Sequence, residues 1–544
     1  MATWTPLPPE ETEKKLGLAE AVLAKAAKHA AGREIDDQQV AVERLADLAT
    51  RLRAARELLE YARDAGPAYM EQATVFAGDV LSGAARLVRE HAPEHGVEES
   101  DLPDEVIPFL REAVREDRVR AIGMKVAGQG GRNNCPLDEI EELTRDAVRE
   151  FAEAEVAPHA ERIHRGDELV PDDFIAKMSE LGYFGLSVPE AYGGSEMGNL
   201  PMVITTEELS RASLAAAGSL ITRPEILTKA LLGGGTEAQK RLWLPQIAGG
   251  ELMVGISVTE PDVGSDVASV KCRAEPASVD GVEGWCITGP KAWCTFAGRA
   301  DILAVLCRTD PDPSKGHRGL SMFIVPKERA YGHDFELTQS GGGRLVGKAD
   351  ATPGYRGMHS FTLNFERYFV PAENLIGAKE GLGRGFYLQM GAFGAGRLQT
   401  GGRACGLAQA ALETTAQYVS DRFQFGKPII EFGLTQYKLG RMSVLLSAAR
   451  AITYAAARAM DVDERAAGPY AAQAKMLACD VAVEVTQEGQ LLHGGWGYAE
   501  EYPISRYAVD ALVLPIFEGV KPILELKVIG KEVLARALSG VSAG

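Results

Sequence analysis

Cysteine is scarce in this chain: seven in 544 residues, an odd number, scattered and with no CxxC pair. That argues against a disulfide framework and against a thiolate-held structural metal. Cys135, Cys272, Cys286, Cys294, Cys307, Cys405 and Cys479 read instead as small, reduced core residues, and no metal is expected. Positive charge is in deficit, with 58 Lys and Arg against 76 Asp and Glu and a net charge of −18. A broad nucleic-acid-binding surface does not fit that balance, although local basic clusters can still meet phosphates. Long apolar runs are missing as well. None reaches the length of a membrane span. The opening Met1-Ala2-Thr3-Trp4-Thr5-Pro6 lacks the apolar core of a secretion signal. The expectation is a cytoplasmic protein without membrane contact.

What is present is a globular composition, 46% hydrophobic and 25% charged, in a chain long enough for several apolar cores. Four zones are expected. Residues 1–133 are rich in Ala, Glu, Arg and Leu; Leu45, Leu48, Leu52 and Ala55 repeat at helical steps, and the zone closes in the loop-like Gly128 to Asn134 run. This helical extension serves either packing or oligomerisation, or a substrate entrance. Residues 134–250 also look helical, with Leu137, Ile140 and Leu143 at steps of three and a strong turn at Pro189 to Gly194. Residues 251–375 change to short strands: Ile302 to Cys307 and Leu320 to Val325 are apolar runs, and Phe361, Leu363 and Phe365 alternate with polar residues. Residues 376–544 return to long helices, where Met476, Cys479, Val483, Thr486 and Gln490 step like a bundle seam. The fold class is mainly α with a middle β domain.

Three segments carry chemistry. The first runs Gly255-Ile256-Ser257-Val258-Thr259-Glu260-Pro261-Asp262-Val263-Gly264-Ser265-Asp266. The second runs from Gly394-Ala395-Gly396-Arg397 to Arg422-Phe423-Gln424-Phe425-Gly426-Lys427-Pro428. The third is His493-Gly494-Gly495-Trp496-Gly497-Tyr498, followed by Ile516-Phe517-Glu518-Gly519. In this order and spacing they resemble the acyl-CoA dehydrogenase family over roughly residues 135–540. The resemblance implies a helical domain, a β-barrel-like middle domain and a C-terminal four-helix bundle, with residues 1–133 as an added helical extension. It also implies FAD, an acyl-CoA substrate, an electron-transfer flavoprotein as electron acceptor, and a homodimer or homotetramer.

Glu518 matches the base of the family. Removing a proton beside a thioester needs a positioned carboxylate and a stabilised enolate. The apolar run Leu512 to Phe517 would bury Glu518 and strengthen it as a base. A subset of the family carries its base just before the arginine matched by Arg397, and here that position is Gly396, which has no side chain to serve. By the same match, Thr259 hydrogen-bonds the flavin ring, Gly264 opens the turn and Ser265 meets a pyrophosphate oxygen. Trp293 packs on the isoalloxazine and Thr295 reaches its reactive nitrogen. Arg422 binds the pyrophosphate of a neighbouring subunit's FAD and Phe425 lies by the adenine. Gly494 and Gly495 permit close backbone approach. Gly519 follows the base at the substrate, and Arg397 either binds a substrate carboxylate or braces the bundle. His493 reads as a satisfied structural histidine. Val520, Pro522, Leu491 and Gly433 depart from the family pattern, with Gly433 standing where a glutamine that contacts the cofactor is common.

With the extension and the Gly354 to Ser360 and Gly396 to Thr400 runs, the chain as a whole resembles the branch of the family that oxidises a branched dicarboxylic acyl-CoA, and this resemblance implies (2S)-methylsuccinyl-CoA as substrate, oxidised to mesaconyl-CoA in the ethylmalonyl-CoA pathway. Three alternatives stay open: another short-branched, straight-chain or aryl acyl-CoA, an oxidase that uses oxygen, and a flavoprotein scaffold without activity.

Overall fold

The computed structural model describes residues 7–133 and 135–539, so Asn134 of the expected loop lies outside them. The chain divides into two compact units, residues 1–143 with 400–544, and residues 144–399. The helix Gly385–Asp421 contributes to both.

In the first unit the extension forms the helices Pro9–Ala30, Gln39–Ala65, Pro67–Glu90 and Glu116–Gly128. Leu45, Leu48, Leu52 and Ala55 are all buried, as their spacing requires. The extension packs directly on the C-terminal helices. Glu116–Gly128 crosses Gly433–Val462 at two glycines, and an added Cβ on Gly123 would stand 1.9 Å from the Gln436 carbonyl oxygen. Only residues without side chains let two helix backbones approach so closely. A buried polar set seals the contact: Ser447 Oγ donates to Gln72 Oε1 at 2.7 Å, and Asn133 Nδ2 donates to the Ser443 carbonyl at 2.9 Å. The helix Gly468–His493 buries Met476, Cys479 and Thr486. Val483 and Gln490 are only half-buried, because the inner face passes through Val485 and Gly489 instead.

The second unit holds a curled eight-stranded sheet. Its strands are β1 (Val254–Ser257), β2 (Arg273–Val279), β3 (Val282–Thr295), β4 (Ile302–Arg308), β5 (Leu320–Pro326), β6 (Asp334–Thr338), β7 (Arg344–Ala349) and β8 (Ser360–Pro371). The order is β1-β4-β2-β3-β8-β7-β6, with β5 on β4. β4 is apolar from Ile302 to Cys307 because both its faces are covered. Ile302, Ala304 and Leu306 join a core with the helix residues Ile226, Leu231 and Leu244, while Leu303, Val305 and Cys307 meet Phe323, Phe361 and Phe365. β8 alternates as its sequence indicates, with Phe361, Leu363 and Phe365 inward.

One periodicity misled. Ile140 and Leu143 are 63% and 65% exposed. The buried side of the helix Glu139–Phe151 starts instead at Glu141, whose carboxylate takes Arg458 Nη2 at 3.1 Å, and continues through Val148 and Phe151. An ion pair occupies the place the apolar spacing pointed to. All seven cysteines are buried, and none forms a disulfide among the described residues.

Candidate active site

Two groups of expected residues take shape, one in each unit. In the 144–399 unit, β1 runs into a tight turn in which Glu260 and Val263 exchange backbone hydrogen bonds of 2.8 and 3.1 Å. Gly264 and Ser265 then stand exposed, and a Cβ on Gly264 would meet only the Thr259 methyl at 4.0 Å. The turn is stapled to β3 from within. Glu260, 5% exposed, accepts from the backbone N–H of Lys271 (2.9 Å) and Cys272 (2.7 Å) and from Lys291 Nζ (3.1 Å). Lys291, fully buried, also donates to the Val258 carbonyl at 2.9 Å, and the Ala292 N–H donates to the Thr259 carbonyl at 2.8 Å. A buried pair this fully hydrogen-bonded fixes geometry even where it adds little net stability.

Two residues beyond Lys291 the pairing of β3 with β8 breaks register, between Lys291 and Cys294. This bulge turns Trp293 outward, 60% exposed, with φ of 57°. A large aromatic face thus stands on the strand that the Thr259 turn is hydrogen-bonded to. Cys294 points into the core, where burial pushes its thiol up to about 12, so it is an inert neighbour. Thr295 is nearly buried and its Oγ1 lies 2.9 Å from Ser360 Oγ. Arg397 is half-buried on Gly385–Asp421. On the same helix the amides of Gln389 and Gln399 are completely buried, and neither the oxygen nor the nitrogen of either has a hydrogen-bond partner among the described residues.

In the other unit, Glu518 and Gly519 form a turn with two successive positive φ angles, 54° and 104°. Left-handed backbone at a glutamate costs about 1 kcal/mol or more, and such strain persists only where the surroundings enforce it. The enforcement is visible. Fully buried Lys475 donates to the Gly519 carbonyl at 2.8 Å, and the guanidinium of fully buried Arg403 lies 4.7 Å from the centre of the Phe517 ring. Glu518 itself is half-buried, not enclosed as its apolar flank implies, because Leu512 and Ile516 face outward, 47% and 60% exposed. Gly494, at φ of 61°, and Gly495 have nothing within 4 Å of an added Cβ. Arg422 and Phe425 sit on a two-stranded hairpin, and the Phe425 ring is 94% exposed.

His493 is structural: its Nδ1 lies 2.7 Å from the Gly489 carbonyl, and its ring stacks on Tyr418 with centroids 4.1 Å apart. It is only half satisfied, since Nε2 is buried without a partner among the described residues. The departure at Gly433 also has a physical reason. A Cβ there would meet the guanidinium of Arg120 at 3.1 Å, so a side chain of the extension occupies the space beside Gly433. Lys291, Lys475, Arg403 and Arg120 were not picked out from sequence. The only signal was a charge set in an apolar stretch, as in Ala474-Lys475-Met476-Leu477.

Within the 144–399 unit, an open glycine turn with an out-turned tryptophan beside it suits a flat aromatic ring; within the other unit, exposed arginine and aromatic residues on a hairpin and two bare glycines suit a pyrophosphate. Comparison with known proteins gives the family. The N-terminal, middle and C-terminal domain models of acyl-CoA dehydrogenases match residues 138–251, 255–368 and 383–534. (2S)-methylsuccinyl-CoA dehydrogenase of Cereibacter sphaeroides is 42% identical over 73% of this chain and 70% of its own. Butyryl-CoA dehydrogenase of Megasphaera elsdenii superposes with a TM-score of 0.66 at 30% identity, covering 74% of this chain and all (100%) of that one. A glutaryl-CoA dehydrogenase of Mycobacterium smegmatis in complex with FADH2 gives 0.62 at 25% identity, over 75% and 96%. The chain belongs to the acyl-CoA dehydrogenase family, FAD-dependent oxidoreductases that act on the CH–CH group of an acyl-CoA.

Proposed function

We propose that this protein oxidises (2S)-methylsuccinyl-CoA to mesaconyl-CoA, a step of the ethylmalonyl-CoA pathway, with Glu518 as the base. The observation that carries the reaction is the strained Glu518–Gly519 turn, held by buried Lys475. A carboxylate carried on a turn fixed at a backbone cost suits proton abstraction from a weak carbon acid. Glu518 takes the α-proton, its backbone N–H donates to the thioester oxygen, and Gly519 leaves room for the acyl chain. Bound FAD supplies the acceptor for the β-hydride. Thr259, Gly264, Ser265, Trp293 and Thr295 hold the flavin end. Arg422, Phe425, Gly494 and Gly495 hold the adenosine and pyrophosphate end, the first two on the FAD of a neighbouring subunit in a homodimer or homotetramer. Electrons leave to an electron-transfer flavoprotein.

Two features support a dicarboxylic acyl group. One is the likeness to methylsuccinyl-CoA dehydrogenase. The other is Arg397, half-buried on the helix Gly385–Asp421, whose guanidinium can take a second carboxylate in a bidentate way that a plain alkyl chain cannot use.

The test is anaerobic. Methylsuccinyl-CoA should bleach the flavin absorbance of the purified protein, faster than butyryl-CoA or isovaleryl-CoA does. Glu518→Gln should keep its yellow flavin and lose the bleaching by a factor of about 1000 or more. Bleaching by a monocarboxylic thioester alone overturns the substrate, and full bleaching in the variant overturns the base.

A further inference from the structure

A second cluster, which the dehydrogenation does not use, lies in the 144–399 unit. Asp167 follows the end of the helix Ala157–Gly166, His333 directly precedes β6, and His359 directly precedes β8. His333 Nε2 lies 3.0 Å from His359 Nε2, and His359 Nε2 lies 3.1 Å from Asp167 Oδ1. His333 Nε2 lies 3.7 Å from Asp167 Oδ2. Two ring nitrogens and a carboxylate oxygen therefore converge from three distant stretches of chain.

These spacings are those of a metal's ligands. A tetrahedral ion with bonds of about 2.0–2.1 Å sets neighbouring ligand atoms about 3.3 Å apart. The outer contacts fit as well. His359 Nδ1 is 3.2 Å from the Gly357 carbonyl, so its proton sits there and Nε2 keeps its lone pair for the cluster. His359 is buried, while Asp167 and His333 are close to half exposed, which gives a fixed floor and an open mouth for entry. Both Asp167 and His359 hold left-handed backbone, at φ of 52° and 46°, so the main chain is bent at both to bring these groups together. Arg356 is the competing charge, with Nε 3.6 Å from Asp167 Oδ1. Its hydrogen bonds go to the carbonyls of Thr352 (3.1 Å) and His164 (3.4 Å), so it shares the carboxylate without saturating it.

We propose that Asp167, His333 and His359 bind a divalent transition ion of the Zn(II) kind, tying the end of the helix Ala157–Gly166 to the β-sheet edge. Two imidazoles with one carboxylate suit such an ion and not Ca(II) or Mg(II), which favour all-oxygen sets. The scarcity of cysteine does not bear on it, because no thiol takes part. The tie reaches the flavin turn's own strand: the Phe296 N–H donates to the His359 carbonyl at 2.8 Å, and Ser360 pairs with Thr295.

Flavin-loaded, chelator-treated full-length protein titrated with Zn(II) in a calorimeter should bind one ion per chain, with protons released. Co(II) in place of Zn(II) should give visible bands beyond the flavin absorption. His333→Ala, at an exposed position where folding is safe, should weaken binding about 100-fold or more. His317→Ala, a histidine outside the cluster, should leave it unchanged. No binding by the native protein, equal binding by His333→Ala, or an equal loss in His317→Ala overturns the proposal.

Discussion

Replacing Gly123 by alanine tests how the extension is joined to the C-terminal helices. The new methyl would lie 1.9 Å from the Gln436 carbonyl oxygen, 2.8 Å from its carbon and 2.9 Å from the Gly440 nitrogen. All three are backbone atoms inside a helix, so no rotamer change relieves the clash. The helices Glu116–Gly128 and Gly433–Val462 must part by about 1 Å along their crossing, in a core packed to crystal density. Overpacking of this kind costs about 1–3 kcal/mol. The upper end applies here, because Gly440 faces the Val119 carbonyl in the same way, 2.1 Å from its own notional Cβ. Alanine returns about 1 kcal/mol of helix propensity, leaving a net loss of about 1–2 kcal/mol. Gly83→Ala is the internal control: Gly83 lies within Pro67–Glu90 with nothing within 4 Å of a Cβ, so it should gain about 1 kcal/mol. Urea denaturation followed by circular dichroism, with hydrogen exchange on residues 116–128 as a local readout, separates the two. If Gly123→Ala proves as stable as Gly83→Ala, the helices do not cross backbone to backbone and the account of the extension fails.

Lys291→Met should strand the buried Glu260 carboxylate, at about 3–5 kcal/mol. Its ratio of flavin to protein absorbance should fall, and the double variant with Glu260→Gln should recover much of the loss; flavin retention in Lys291→Met alone would show that the staple does not shape the turn. A pH series addresses His493. Burial lowers its pKa in the folded protein, so the unfolded chain binds more protons as pH drops below about 6.5. The stabilisation is complete above that value and is lost as pH falls. The urea midpoint of the native protein should drop more between pH 7.5 and 5.5 than that of His493→Gln, and equal drops would remove His493 from the account.

Local patterns in the sequence reached the strands and the exposed turns that the proposed cofactor residues occupy. The alternation Phe361, Leu363, Phe365 fixes a half-buried strand, and the run Ile302 to Cys307 marks one covered on both sides. Thr259 and Trp293 were placed by motif, and the bulge at Lys291 to Cys294 explains why an aromatic there faces outward. Spacing failed where charge replaced oil, as at Glu141 with Arg458, which left Ile140 and Leu143 outside. It was silent where distant segments meet. Lys475 reaches the Gly519 carbonyl across 44 positions, and Arg120 fills the space at Gly433 from the far end of the chain. Asp167, His333 and His359 have no common spacing at all, because a fold, not a motif, assembles them.

The exchange at Gly433 also bears on how this protein can be handled. Gly433 carries no side chain on its C-terminal helix, and an arginine loaned by the extension covers it. Trimming the gene to the length typical of its kin would therefore withdraw the lender, uncovering a bare strip of backbone along Gly433 to Gly440 on a bundle that cannot close over it. Expression of residues 135–544 alone should yield insoluble material, and restoring solubility would take bulk added back at both glycines.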